Sequence, residues 1–297
     1  MAWPSGKAEA CKASIPSSNL GATYMLYLVA TPIGNLADIT FRAIEVLKTC
    51  DYILCEDTRH SLILLKHYGL QKPLKSFHKF SEAMKEDPIL ADLSAGKTIA
   101  LICNAGTPGI SDPGTRLVQS CKKQGIQVTA IPGPCAAISA ISSSGLDTDH
   151  FQFIGFLPKK DGQLTQALQS ILPYPGTSIC YESPHRLKKV LKKIDDLDPQ
   201  RILAVARELT KIYEENLQGT ANELLNHFEK SPLKGEIVLM ISGCKNQTSE
   251  WAHLPPEKHV QLIQETHGIP LQDAIKMAAK QRGVPKRAIY NLLHTPA

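Results

Sequence analysis

The sequence has no apolar run approaching the ~20 residues that a membrane-spanning helix needs. Its opening stretch, MAWPSGKAEACKASIPSSNLGAT, lacks the apolar core of roughly 7–15 residues that marks a secretory signal. No CxxC pair and no Cys/His spacing of the zinc type occurs, although there are eight cysteines. A metal site is therefore not expected, nor is a membrane association. Several cysteines lie within apolar runs. They are expected as buried free thiols in a reducing compartment, which places the protein in the cytoplasm. Charge of one sign is also scarce: the net charge is +5, a mild bias toward anions that does not by itself indicate nucleic acid.

What is present is enough for a full core. The 297 residues are 43% hydrophobic and 21% charged, which suits one large domain or two medium ones. Residues 1–24 are small, polar and aperiodic, and read as a disordered extension; Met25 is a candidate translation start. From Met25 strand-like and helix-like segments alternate. MLYLVAT, DYILCEDTR, TIALI and VTAIPG read as strands; ITFRAIEVLKTC, LILLKHYG, TRLVQSCKKQ and CAAISAISSSG read as helices. This rhythm predicts an α/β unit over residues 25–144. A second, over 145–246, is expected from FQFIGFLP, QLTQALQSIL, GTSICYES, HRLKKVLKKIDDL, RILAVARELT, TANELLNHFE and GEIVLMISG. Both sheets are expected to be mainly parallel, with a cleft between the units. Residues 247–297 read as a linker and a helical tail.

Polar clusters stand at the predicted strand ends, where doubly wound sheets hold ligands. CNAGTPGISDPG (Cys103–Gly114) follows TIALI; its glycines suit either close approach of backbone N–H groups to a ligand or two tight turns. It is not GxGxxG and has no lysine, so a dinucleotide or triphosphate is poorly supported. LSAGKT (Leu93–Thr98) ends like a phosphate loop but precedes a strand, so Gly96 is expected to close a helix. TPIGN, EDTRH, YESPHR and RELTK occupy the other ends, and Asp57 or Thr58 is equally suited to capping a helix. Either these clusters line a common cleft or they are solvated strand ends with surface ion pairs. Lys188, Lys189, Lys192 and Lys193 share one helix face, opposite Leu187, Val190, Leu191 and Ile194. That face is solvated or contacts a phosphate backbone. In the tail, Ala279, Gly283, Ile289 and Leu292 have helix-turn-helix spacing; a helical hairpin docked on the body or a second subunit is the alternative.

With these motifs in view, the chain resembles the tetrapyrrole-methylase-fold family and, within it, the ribosomal small-subunit methyltransferase I group. LVATPIGNLADIT, EDTR, AGTPGISDPG, IPGP, FIGFLP, YESPHR, RELTK, KGE and IKMAAKQRGVPKRAIY occur in that order, from Met25 to about Leu293. The resemblance implies two α/β domains, a homodimer, and S-adenosyl-L-methionine in the cleft between them. It implies cofactor contacts at Pro32, Asn104, Ala105, Gly106, Thr107, Ile110, Ser111, Pro132, Cys135, Ala136, Phe156 and Leu157. The implied reaction is 2′-O-methylation of a cytidine in 16S rRNA of the small ribosomal subunit, in its decoding region. Asp57, Glu56 and His185 are candidate proton acceptors, Asp57 favoured by its strand-end position. Asn35, Arg59, Arg186, Arg207 and Lys211 are candidate RNA contacts. No metal is needed. The family usually has an aspartate where this chain has Cys103-Asn104, so a charge is lost and weaker cofactor binding is expected. Methylation of a tetrapyrrole or a protein on the same fold, and RNA binding without catalysis, are the rival functions.

Overall fold

The computed structural model of the chain, which describes residues 25–78, 82–229, 233–244 and 254–294, holds two five-stranded sheets in succession. The expected extension at residues 1–24 and most of the linker lie outside the described residues. The first half runs β1 (Met25–Val29), α1 (Phe41–Thr49), β2 (Tyr52–Cys55), α2 (Thr58–His67), β3 (Leu74–Ser76), α3 (Glu82–Ser94), β4 (Thr98–Leu101), α4 (Thr115–Lys123), β5 (Gln127–Ile131) and α5 (Ala136–Ser143). Its strand order is β3-β2-β4-β1-β5, and every pair is parallel. Helical crossovers impose that direction, and a parallel sheet needs both faces covered. The period of two along each strand supplies both. Ile53 packs with Leu47 of α1 and Leu65 of α2 on one face. Leu54 packs with Leu93 of α3 and Leu117 of α4 on the other.

The second half runs β6 (Phe151–Phe156), α6 (Asp161–Ile171), β7 (Thr177–Glu182), α7 (Pro184–Leu197), β8 (Ile202–Arg207), β9 (Glu215–Thr220), α8 (Ala221–Glu229) and β10 (Ile237–Ile241). Here the expectation of a mainly parallel sheet is corrected. In the order β6-β7-β10-β8-β9 only β6 and β7 are parallel; the other three pairs are antiparallel. The cause is β9, whose polar ENLQGT carries no apolar alternation to mark it as a strand. β8 returns as β9 through a short loop with no helix, and that reversal carries β10 with it. The α/β class is unaffected.

α5 joins the halves. Its Ala137, Ala140 and Ile141 pack with Ile33 after β1 and with Ile179, Ala204, Ala206, Val238 and Met240 of the second sheet. On α7, Leu187, Val190, Leu191 and Ile194 are buried, while Lys189 and Lys193 pair with Asp161 at 3.0 and 2.8 Å. Gly96 follows the end of α3, its N–H on Leu93 O at 3.0 Å, so the GKT stretch closes a helix and enters β4. The seven described cysteines are free.

The tail is three helices, α9 (Pro256–His267), α10 (Leu271–Arg282) and α11 (Lys286–His294). Gly283 turns α10 into α11 at φ 65°, a left-handed conformation that glycine adopts at least cost. Ala279 and Ile289 enter a small core with Val260, Ile263 and Ile275. Leu292, whose helix-turn-helix position would place it with Ile289 in that core, is instead 52% exposed. No helix among the described residues is long and apolar enough to cross a membrane.

Candidate functional site

β1, β4 and β2 are neighbours in the first sheet, so their carboxyl ends bring TPIGN, CNAGTPGISDPG and EDTR to one edge. Main-chain bonds then stitch the loops together. Thr31 and Gly106 exchange N–H···O bonds of 2.9 Å in each direction. Thr31 Oγ1 donates to Cys103 O at 3.1 Å, and Thr107 Oγ1 donates to Pro134 O at 3.1 Å in the turn after β5. The Cys103 thiol sits against Ala105 O and Gly106 O, each at 3.2 Å; burial pushes its pKa far up, so it is a structural donor and not a nucleophile.

Between this edge and the second sheet lies a cleft of about 400 Å³. Of the residues singled out in the sequence, Glu56, Asn104, Ala105, Gly106, Thr107, Ile110, Ser111, Cys135, Ala136 and Phe156 line it. Ile33, Asp112, Tyr181, Glu182, Ser183, Pro184, Ala206, Leu209 and the segment 235–238 line it as well, and the sequence reading did not select them. Most of these lie inside motifs the sequence displays: Ile33 in TPIGN, Asp112 in the glycine-rich loop, Tyr181 to Pro184 in YESPHR, Leu209 in RELTK, and Gly235 and Glu236 in KGE. Ala206, Ile237 and Val238 lie within apolar strands, and no local pattern marks them as wall residues.

The remaining singled-out residues stand elsewhere. Pro32, Pro132 and Leu157 are not in the cleft wall. Leu157 is buried in the second core, with its carbonyl taken by Arg186 Nη1 at 3.1 Å. Asn35 caps a short 3₁₀ turn, Leu36–Asp38. Asp57 caps α2, accepting from Arg59 N at 2.9 Å, and pairs with the Arg59 guanidinium at 2.9 Å. The side-chain bond from Arg59 lowers the Asp57 carboxyl to about 2, which makes it a weak base. His185 is exposed on the first turn of α7, outside the cleft wall. Arg186 reaches Pro158 O at 2.7 Å and the buried Glu182 carboxylate at 3.3 Å. Arg207 pairs with Glu215 at 2.9 Å, and Lys211 with Glu208 and Glu236 at 2.7 and 2.9 Å. Among the four basic candidates, only Arg59 keeps a side chain that is 90% exposed.

Among the described residues the cleft wall carries Glu56, Asp112, Glu182 and Glu236 and no lysine, arginine or histidine; Glu182 and Glu236 are paired from outside the wall by Arg186 and Lys211, while Glu56 and Asp112 have no cationic partner. Burial raises the pKa of Asp112, with the Glu56 charge adding to it, and burial likewise raises that of Glu182. Glu182 Oε1 accepts from Ser183 N at 2.7 Å, while its Oε2 is buried without a partner. Asn104 Nδ2 donates to Glu56 Oε2 at 3.1 Å, and Asn104 Oδ1 is likewise buried and unpartnered. Buried acceptors left open are costly. A ligand carrying positive charge and N–H donors satisfies them, whereas a phosphate does not. Tyr181, with its ring edge-on to Phe153 and Phe156 at 5.0 and 5.7 Å, adds an aromatic wall; burial pushes its phenol up to about 12, so it stays neutral. Among the described residues no His/Cys/Asp/Glu group could hold a metal ion.

Comparison with known proteins agrees with this architecture. Residues 25–225 match the family of tetrapyrrole (corrin/porphyrin) methylases. The chain is 46% identical over 277 residues to a Halalkalibacterium halodurans protein named ribosomal RNA small subunit methyltransferase I, covering 91% of this chain and 94% of that one. It is 44% identical to the protein of the same name from Escherichia coli O157:H7, over 89% and 93% of the two chains. Among solved structures, uroporphyrin-III-C-methyltransferase from Thermus thermophilus superposes with a TM-score of 0.53 at 20% identity, covering 73% of this chain and 94% of that one. A diphthine synthase superposes with a TM-score of 0.56 at 13% identity, covering 74% and 90%. These two share the fold. The chain belongs to the tetrapyrrole methylase family and, within it, to the group whose curated members are named ribosomal RNA small subunit methyltransferase I.

Proposed function

We propose that the protein methylates the ribose 2′-hydroxyl of a cytidine in 16S rRNA of the small ribosomal subunit, in its decoding region, using S-adenosyl-L-methionine. The observation that carries the cofactor is the cleft wall, with four carboxylates, two open buried acceptors and no cation. The relatives' names carry the RNA. Bound there, the cofactor supplies a methyl group activated by a sulfonium charge. Asn104 Oδ1 would accept an N–H of the cofactor, backbone groups of Ala105–Thr107 would hold it, and Glu56 and Asp112 would balance its positive charge. Walls drawn from both sheets align the two reactants, and alignment supplies most of the acceleration in such a transfer. Of the three candidate proton acceptors, Glu56 alone faces the cleft. Its Oε2 is held by Asn104, which leaves Oε1 to take the hydroxyl proton. Arg59 and Asn35 remain as RNA contacts. Arg186, Arg207 and Lys211 position loops through their internal bonds. The working form in this reading is a homodimer in the cytoplasm.

The test is transfer of labelled methyl from S-adenosylmethionine to small subunits from cells lacking the protein, followed by digestion to nucleosides. Label in 2′-O-methylcytidine is the expected result. Cofactor binding without label in RNA would return the tetrapyrrole or protein substrates to consideration. RNA binding without cofactor binding would favour a non-catalytic factor.

Cofactor binding is also expected to depend on pH. The raised carboxyls, Asp112 and Glu182, cost stability only once ionised: the penalty is absent below the ordinary carboxylate range and complete above their raised values. A bound cation favours the ionised form. Affinity should therefore fall as pH is lowered from neutrality through those values, and binding there should release protons. Calorimetry in buffers of different ionisation enthalpy measures both. A flat profile with no proton release would remove these carboxyls from the site.

A further inference from the structure

The segment Glu208–Glu214 joins β8 to β9 and forms a lip on the cleft: Leu209 lines the wall, and so does Glu236, to which Lys211 is bonded. Glu208 and Thr210 adopt φ of 52° and 66°, a left-handed backbone that non-glycine residues hold only when their surroundings compel it. Those surroundings are evident. Lys211 Nζ bonds Glu208 and Glu236, Thr210 N donates to Glu214 Oε2 at 2.6 Å, and Glu236 N donates to Glu208 Oε1 at 3.0 Å. On the other side Gly34, in TPIGN, packs directly on Leu209, Thr210 and Lys211.

This fixed turn presents two large side chains that take part in none of it. Ile212 is 94% exposed and Tyr213 is 75% exposed. Surface apolar residues scattered singly are ordinary; two adjacent ones on a tied, strained turn at the mouth of a ligand cleft are placed there. Tyr213 is four residues from cleft-lining Leu209, so at most about 14 Å along an extended chain, the reach of a nucleotide or two. The lip's charges are spent on each other, so it offers little to a phosphate. What it offers is a rigid aromatic face.

The geometry points to Tyr213 as a stacking platform for an unpaired base of the RNA strand next to the reacting nucleotide, with Ile212 packing at its edge. This deepens the proposed function and rests on it. Single-stranded RNA is read by stacking of splayed bases on aromatic side chains, and the contact tolerates loss of the phenol hydroxyl.

The experiment compares Tyr213→Ala and Tyr213→Phe with wild type, using small subunits from cells lacking the protein. Cofactor Kd is measured by calorimetry and mass by light scattering. Tyr213→Ala should raise the KM for subunits about tenfold, the scale of one lost base stack, with kcat, cofactor Kd and mass unchanged. Tyr213→Phe should restore the wild-type KM. An unchanged KM in Tyr213→Ala would overturn the platform while leaving the methylation reading intact. A fall in mass would overturn it by assigning the lip to a contact between two copies of this chain. Wild-type protein that binds cofactor but neither binds nor methylates subunits would remove both readings.

Discussion

Asn104→Lys is expected to weaken S-adenosylmethionine binding by about two orders of magnitude, a loss of about 2.7 kcal/mol. The cleft wall holds four carboxylates and no cation, and Asn104 sits within hydrogen-bonding distance of one of them, Glu56, at 3.1 Å. A lysine ammonium at that position is a built-in competitor for the positive charge the site is shaped to accept. Two unit charges about 4 Å apart at an effective dielectric near 20 attract by about 4 kcal/mol, so partial engagement with Glu56 or Asp112 already exceeds the required loss. Asn104→Leu separates charge from hydrogen bonding. It removes the open acceptor and the donor to Glu56 without adding a cation, and about tenfold is expected from it. Calorimetry with both variants decides: equal losses would mean that the carboxylates do not act on the ligand's charge.

The parts of this protein that are legible in its sequence are those set by local pattern. The first sheet is legible because β2 and β4 are short, unbroken apolar runs and α1 and α4 carry clean apolar stripes, as α7 does in the second half. β3 is not, being three residues at a sheet edge. α3 is legible only at its end, where Gly96 closes it, because Pro88 lies within it and two of its buried positions are Glu82 and Glu86, which look like surface residues until Leu117 N and the Arg116 and Ser120 side chains are seen to satisfy them. β9 is the consequential loss. ENLQGT is polar, exposed on alternate residues and lies at an edge, yet it reverses the chain and sets the direction of β10. The site follows the same division. Asn104 to Ser111 sit on one continuous loop and are readable together. The wall from 235 to 238 depends on which strand lies beside which, and no periodicity records that. Arg186, Arg207 and Lys211 show what a sequence leaves out: basic residues at strand ends suggest phosphate contacts, and only the structure shows each bonded to a carboxylate or carbonyl of its own chain.

Gly34→Ala should lower activity about a hundredfold while the protein stays folded, and the reason is space. Gly34 has an ordinary backbone, so strain is not the issue. A methyl there would lie 2.5 Å from Lys211 Cγ, 2.7 Å from Thr210 Oγ1 and 2.8 Å from Leu209 O. The lysine methylene alone would yield at little cost. The Leu209 carbonyl would not, because the lip is held by Glu208, Glu214 and Glu236. TPIGN must then move away, and Ile33, which lines the cleft and packs on Ala206 and Val238 of the other sheet, moves with it. Overpacking of this kind costs about 1–3 kcal/mol, a fall of several degrees in Tm for a chain of this size. A displacement near 1 Å between the walls that align two reactants costs about a hundredfold in rate. Gly69→Ala provides the contrast. Gly69 has φ 64° with nothing within 4 Å of the added methyl, so the left-handed backbone alone costs about 1 kcal/mol and leaves the cleft untouched. Thermal unfolding and kcat/KM for small subunits, measured on both variants, separate the two effects. If Gly34→Ala loses no more activity than Gly69→Ala at a comparable loss of stability, the two strand-end loops do not set the width of the cleft.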